Sequence, residues 1–282
     1  MQFSHIPASA DVTWQLCPQV YTPTLTYNWN TWKKNPNSSF VYILCIGSGA
    51  SGSNGVNTTV GGGGGGSGGQ TQVMIPAFLV PEVLYYTVSA PSTGLATGGR
   101  VIVSDLPFVT TLVGACVYAY AEGGNRSDLL ATGGTAGVVA TAANMQAGVA
   151  GIVRLLAGQA GTAGGNADAG TALTYPTTGL LVTGGAGGGG TASTGGSITA
   201  SAPRPLISGS ATTGVPGGNG VNYVLGAFLP SGGAGGRGGS TWNVGSAGGS
   251  GGTGCGGGGG GSGTPVGAGG KGGPGLIMIA QW

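Results

Sequence analysis

Charge is scarce in this sequence. Of 282 residues, 8 are Lys or Arg, 6 are Asp or Glu, and one, His5, is histidine. Charged residues make up 5% of the chain, against about 25% in ordinary soluble proteins. So few ionisable groups leave little from which to build general acid–base catalysis. One histidine assembles neither a Ser-His-Asp triad nor a histidine metal site, so the chain reads as a non-enzyme without metal or cofactor. Its net charge of +2 is too small to gather nucleic acid.

Long hydrophobic runs are also missing. FVYILCI (40–46) is far shorter than the roughly 20 residues of a membrane-spanning helix, and 137–157 is broken by Gly, Asn, Gln and Arg154. No membrane insertion is expected. MQFSHIPASADVTWQL at the start lacks the basic and apolar regions of a secretory signal, which implies synthesis in the cytoplasm. The four cysteines, Cys17, Cys45, Cys116 and Cys255, show no CxxC spacing. They indicate neither zinc site nor disulfide scaffold, and buried free thiols are expected.

What the chain has instead is glycine, 68 residues of 282, beside 15 prolines. Disordered chains are normally polar and charged, whereas 40% of this one is apolar. Up to residue 121 the pattern is that of short β-strands punctuated by Pro, Asn and Gly. Strands are expected at 19–27, 39–46, 71–75, 83–89, 100–103 and 110–120, in a β-sandwich-like or incompletely closed domain. A glycine tract, 47–69, interrupts it, either as an insertion or as part of the glycine architecture further on. Residues 122–182 form an Ala/Gly/Thr-rich region in which 137–158 is a candidate helix, weakened by glycines that cost about 1 kcal/mol each relative to Ala. Residues 183–282 form a glycine block closed by the apolar, strand-like GLIMIAQW.

The glycines are periodic. From Ala247 the chain reads AGG SGG TGC GGG GGG SGT PVG AGG KGG PGL in one three-residue frame. GGAGGRGGS (232–240) and GGGGGGSGG (61–69) share the period, and TWNVGS, between the two C-terminal frames, is expected to reverse the chain. This period implies packed polyglycine-II helices, left-handed and three-fold, rising about 3.1 Å per residue without internal hydrogen bonds. Residues 247–274 would then span roughly 87 Å if straight. Side-by-side packing would pair the backbone groups, with the all-glycine 256–261 buried on every side and Ser, Thr, Ala, Arg237 and Lys271 turned outward. Collagen needs Gly at every third position with Pro-rich neighbours, and a calcium-binding β-roll needs repeated Asp; neither pattern is present. A Gly/Ser linker is the competing reading, but linkers do not hold one frame for so long. GxGxxG matches are accidents of composition, since none opens a helix after a strand.

Two places could bind a partner. YNWNTWKKNPN (27–37) gathers Tyr27, Trp29 and Trp32 with lysines and amides, either as an aromatic recognition surface or as core strand residues. Two loop segments also qualify, because binding residues concentrate on loops held by rigid scaffolds. These are GGNRSD (123–128), with Asn125, Arg126 and Asp128, and STWNV (240–244), with Trp242 and Asn243.

An apolar strand entering a glycine tract (FVYILCIGSGASG), the later glycine runs and the terminal GLIMIAQW resemble the glycine-rich fibre and adhesin proteins of bacteriophage virions, over 40–69 and 183–282. The resemblance implies a virion protein, a tail fibre or receptor-binding adhesin whose loops contact a glycan or outer-membrane protein on the host surface. It also implies other virion proteins as partners and a homo-oligomer, with a trimer the natural expectation for a fibre. A capsid decoration or head-fibre protein is an alternative. An ice-binding protein is another, although positions 247–274 lack a uniform threonine row.

Overall fold

The structure, a computed structural model, describes residues 13–16, 29–90, 92, 94, 96–107, 117–126, 131–138, 151–177, 180–201, 204–222, 230–240 and 242–282. It is mainly β. Strands β1 (Thr13–Leu16), β3 (Phe40–Ile46), β4 (Gln70–Pro76), β8 (Ile152–Leu156) and β11 (Leu276–Gln281) form an antiparallel sheet in the order β1-β11-β3-β4-β8. A second antiparallel sheet orders β2 (Asn30–Lys33), β5 (Val83–Thr87), β6 (Val101–Ser104) and β7 (Val117–Ala121). Two short parallel strands, β9 (Leu173–Thr174) and β10 (Ile198–Thr199), pair elsewhere.

Alternation along β3 explains its burial. Val41, Ile43 and Cys45 meet Val73, Ile75, Ile277 and Ile279 and, from the second sheet, Trp32, Leu84, Tyr86, Val101 and Val103 in one core. Leu44 and Ile46 point the other way, onto Leu180, Val182, Cys255, Leu276 and Met278. With both faces covered, β3 and β11 read as unbroken apolar runs rather than alternating ones.

The expected strands at 39–46, 71–75, 83–89 and 100–103 form. The one at 110–120 is described only from Val117, and 19–27 lies outside the described residues. The helix considered for 137–158 is corrected where the chain is described: 137–138 is not helical and 152–156 is β8. Ile152–Leu156 is worth more as an edge partner of β4 than as part of a glycine-interrupted helix. Residues 139–150 lie outside the described residues.

Pairing continues where the strands stop. Beyond Ile46–Gln70 in β3/β4, the amides of Gly47, Ala50, Ser53 and Val56 donate to the carbonyls of Gly69, Gly66, Gly63 and Val60. The alignment is unchanged, but the bonds recur at every third residue. Beyond Leu276–Ile46, Gly49, Gly52 and Gly55 donate to Gly273, Gly270 and Gly267. Beyond Gln70–Leu156, Ser67, Gly64 and Gly61 donate to Gln159, Thr162 and Gly165. The tract 47–69 is therefore the far half of the β3–β4 hairpin and a member of the same array as the C-terminal glycine segments.

Segment 254–263 runs through the middle of that array. Its amides donate to Ala50 and Ser53, to Thr183, Ala186 and Gly189, and to Ser246 and Gly249. Its carbonyls accept from Gly62, Gly65 and Gly68, from Gly233, Gly236 and Gly239, and from Gly267, Gly270 and Gly273. These residues belong to six neighbouring segments, each of which is bonded to the next around the ring. Every residue from 256 to 261 is buried. A Cβ added at any of these glycines would lie 1.9–2.2 Å from a neighbour's carbonyl oxygen, so no side chain fits.

The stretch 247–274 is not one straight segment. It reverses at Thr253–Gly254, where Gly254 has φ +72°, and again at 263–266, giving three antiparallel runs. Folding back supplies the partners that an isolated extended run would leave to water. On the outermost run, positions 265, 268, 271 and 274 face outward and hold Pro265, Ala268, Lys271 and Pro274. Proline, which has no N–H to donate, thus occupies positions that only accept: the carbonyls of Pro265, Ala268, Lys271 and Pro274 take the amides of Gly245, Gly248, Gly251 and Gly254. Arg237 is not turned freely outward: its guanidinium bonds the carbonyls of Ala192 (2.9 Å) and Ala211.

Candidate functional site

Segments 47–56, 157–166, 180–190, 230–240 and 254–263 all run in one direction, away from the sheets, as their mutual registers require. The turns that follow them, at 57–59, 166–168, 191–193, 242–244 and 263–266, therefore gather at the end of the array opposite the sheets. The turn at 211–215 joins them, since Arg237 bonds Ala211.

These turns are tied to one another. Gly263 N–H donates to Asn57 O (3.1 Å), Ala167 N–H to Thr59 O (2.9 Å), Ala192 N–H to Gly239 O (3.0 Å) and Thr264 N–H to Asn243 O (3.2 Å). Thr191 Oγ1 donates to Thr58 O at 2.9 Å and Ser193 Oγ to Ala167 O at 3.2 Å. Asn57 closes its own turn by accepting, at Oδ1, from Thr59 N–H, Thr59 Oγ1 and Val60 N–H, the use of a short amide that favours Asn in turns. Ala167 (φ 58°) and Ala192 (φ 51°) occupy the left-handed region, uncommon for residues other than glycine, and both are held there by the amide bonds just described.

Trp242 stands on this face 88% exposed, with Val244 and Val215 half-exposed and Val56 also exposed. Asn243 is exposed beside Trp242. Asn125 is exposed lower on the flank, where its N–H and Nδ2 bond Thr135 and its carbonyl accepts from Gly66; Arg126 follows it, half-buried. Asp128 lies outside the described residues.

The other surface considered, 27–37, is corrected at its centre. Trp32 is 1% exposed; it lies opposite Leu84 in the β2/β5 pair and points into the core, while Thr31 and Lys33 on either side face out. Trp29 is half-buried against the cluster of Ile102, Val117 and Tyr120. Lys34 is fixed to the backbone, its Nζ donating to Ala77 O (2.8 Å) and Val80 O. Tyr27 lies outside the described residues. Val56, Asn57, Val215 and Thr264–Pro265 went unnoticed in the sequence; Thr264–Pro265 lies inside a three-residue frame that continues across it, and Val215 lies in no such frame.

Perturbed ionisation is an interior matter here. Burial pushes the Cys255 thiol from 9.0 up to about 12 and the Tyr42 hydroxyl from 10.0 up to about 12, and both groups stand next to the five-stranded sheet, away from the turns. Cys45 and Cys255 are buried and free of disulfides. Among the described residues no three His, Cys, Asp or Glu lie together as a metal site would need, and no helix is long and apolar enough to cross a membrane. The turn face offers an aromatic ring, aliphatic side chains, hydroxyls and amides, which suit it to non-covalent recognition. A scan of protein-family models finds no match to the chain, and neither does a search of curated proteins.

Proposed function

We propose that this chain is a bacteriophage virion protein, a tail-fibre or receptor-binding adhesin that reads the bacterial surface through its turn face. The observation that carries this reading is the gathering of cross-bonded turns at one end of an array whose interior is backbone packed on backbone. Such an array holds loops in fixed relative positions, and rigid presentation lowers the ordering cost of binding. In this reading the glycine segments are polyglycine-II helices. Their rise of about 3.1 Å per residue nearly matches the 3.2–3.4 Å of a strand, which accounts for strand pairings passing into the array without a shift in alignment. The two facing sheets act as a sandwich that attaches the array to the rest of the virion.

The test is direct. Antibody against the purified chain should label one fixed site on the virus particle by electron microscopy, and the labelled chain should adhere to cells of the bacterium which that virus infects. Labelling spread over the capsid shell, or no adherence, would sink the adhesin reading. A high-resolution diffraction structure lacking three-fold left-handed segments at 255–262 would sink the helical one.

A further inference from the structure

The two sheets share an end of their own, opposite the turns. Strands β2, β4, β6 and β11 finish there, and β3, β5 and β7 begin there. The chain crosses this end from one sheet to the other through 77–82, which opens with a single 3-10 turn, Ala77–Leu79. Phe78 on that turn is 83% exposed, and Leu106, just beyond β6, is 52% exposed. Leu79 and Phe40 are exposed as well, and Trp282, its ring stacked on Phe40 at 6.0 Å between centroids, extends the patch.

The crossing is braced. Lys34 Nζ donates to Ala77 O (2.8 Å) and Val80 O, Ala77 N–H donates to Ser39 O (2.8 Å), and the Tyr118 hydroxyl donates to Leu79 O at 3.3 Å. Phe78 is thus held outward on a fixed turn within an apolar rim, the makeup of an interface anchor. These side chains leave roughly 450 Å² of apolar area uncovered, an extent that is often functional on a folded chain. Two copies joined here would bury about 900 Å² of it, and with their polar rims would reach the roughly 1,000 Å² that a specific interface needs.

We infer that this end of the sheets binds a second copy of the chain about a two-fold axis, with Phe78 as the anchor. Charge complementarity decides the occupant. The patch is flanked by two cations, Lys33 and Lys34, and by two acids, Glu82 and Asp105, so it has no net charge with which to gather an anionic lipid surface. Lys33 and Glu82 are exposed side by side, since Lys33 pairs with Val83 across β2 and β5. Among the described residues neither has an ion-pair partner. An isologous contact, in which one patch meets itself, uses such a pair: an axis passing between the two sets Lys33 of each copy against Glu82 of the other. The same rotation lays the Phe78 ring of each copy on the apolar rim of the other, away from water. Both turn faces stay uncovered, at opposite ends of the pair, so the contact holds whether or not those faces read a bacterial surface.

Sedimentation equilibrium of the full-length chain between about 1 and about 100 µM tests this, because pairing follows mass action. The mass should rise with concentration from that of one chain to that of two. Phe78→Ser should weaken the association at least about 30-fold, the loss typical of an interface hot spot, with an unchanged circular dichroism spectrum because the ring is exposed. Leu106→Glu should act in the same direction, and Trp242→Ala, at the far end of the molecule, should leave the mass unaltered. Lys33→Glu should weaken pairing by setting like charges together, whereas Lys33→Glu combined with Glu82→Lys should restore it, since the reversed charges meet again across the axis. A chain that stays monomeric at the highest concentration, pairing that survives Phe78→Ser, or a double reversal that fails to restore what the single one lost overturns the inference. So does a monomer that floats with phosphatidylglycerol vesicles, which would assign the patch to lipid. Each of these outcomes leaves the adhesin reading standing, because adherence to cells is measured separately and depends on the opposite end.

Discussion

At the scale of single residues, what distinguishes this protein is that the contacts inside its glycine array are made by backbone atoms. Gly258 shows the consequence: an added Cβ would lie 2.1 Å from Ala234 O, and the obstructing atom is main chain that cannot rotate away. Gly258→Ala should cost about 3 kcal/mol, the upper end of the range for overpacking. Gly94 has φ +63° and open space around it, so Gly94→Ala should cost only about 1 kcal/mol, the ordinary penalty of a left-handed residue with a Cβ. Urea unfolding of the two variants measures the difference, and equal losses would contradict backbone-on-backbone packing. Ionisation belongs to this scale too. Desolvation raises Cys255 and Tyr42 to about 12 from 9.0 and 10.0, so the folded chain keeps protons that the unfolded chain releases above about pH 9. Stability should therefore be full below pH 9 and decline toward pH 12. Cys255→Ala should flatten that decline when denaturation midpoints are followed against pH; an unchanged slope would mean the thiol is not buried as described.

At the scale of the element, the outermost glycine run has positions whose N–H groups donate, such as Gly267, Gly270 and Gly273, alternating with outward positions that only accept, such as Ala268 and Lys271. In the run 265–275, Gly270 N–H donates to Gly258 O (2.8 Å) and has no room for a side chain, whereas Ala268 is exposed. Proline removes a donor and fixes φ near −65°. Ala268→Pro should accordingly change the melting temperature little, as Pro265 and Pro274 in equivalent places suggest, while Gly270→Pro should lower it steeply. Comparable melting of the two would show that the three residue positions are not distinct. The outward prolines and Lys271 also leave this flank a poor template for further backbone pairing, the protection that edge strands obtain from the same residue types.

At the scale of the whole molecule, the last residues close the structure. Strand β11 is inserted between β1 and β3, and 254–263 fills the centre of the array, so neither sheet order nor array is complete until the end of the chain is in place. Removal of 276–282 should abolish cooperative unfolding followed by tryptophan fluorescence; a truncated chain that still melts sharply would show that the array folds without its sheet. In native-state hydrogen exchange, the amides of 256–262 should open only by global unfolding although the residues lie outside the strands, because they bond in turn to three neighbouring segments inside a closed ring. Fast exchange there would contradict the described bonding.

The sequence by itself determined the strands with an uninterrupted apolar run, the three-residue period, the burial of 256–261 and the reversal around Trp242, because each of these follows from local residue type and spacing. Trp242 and Asn243 were legible as a candidate site for the same reason: they interrupt a regular frame. Only the tertiary structure decided the rest. Trp32 belongs to the core because β2 pairs with β5 and alternation turns its ring inward. The tract 47–69 belongs to the same array as residues more than 200 positions away, such as Gly273 bonded by Gly49, because its register is inherited from the β3–β4 hairpin. Val56, Val215 and Pro265 share a face with Trp242 because parallel segments end together. Which segments become neighbours is fixed by hydrogen bonds between identical backbones, and glycine carries no side chain through which a sequence could announce its partner.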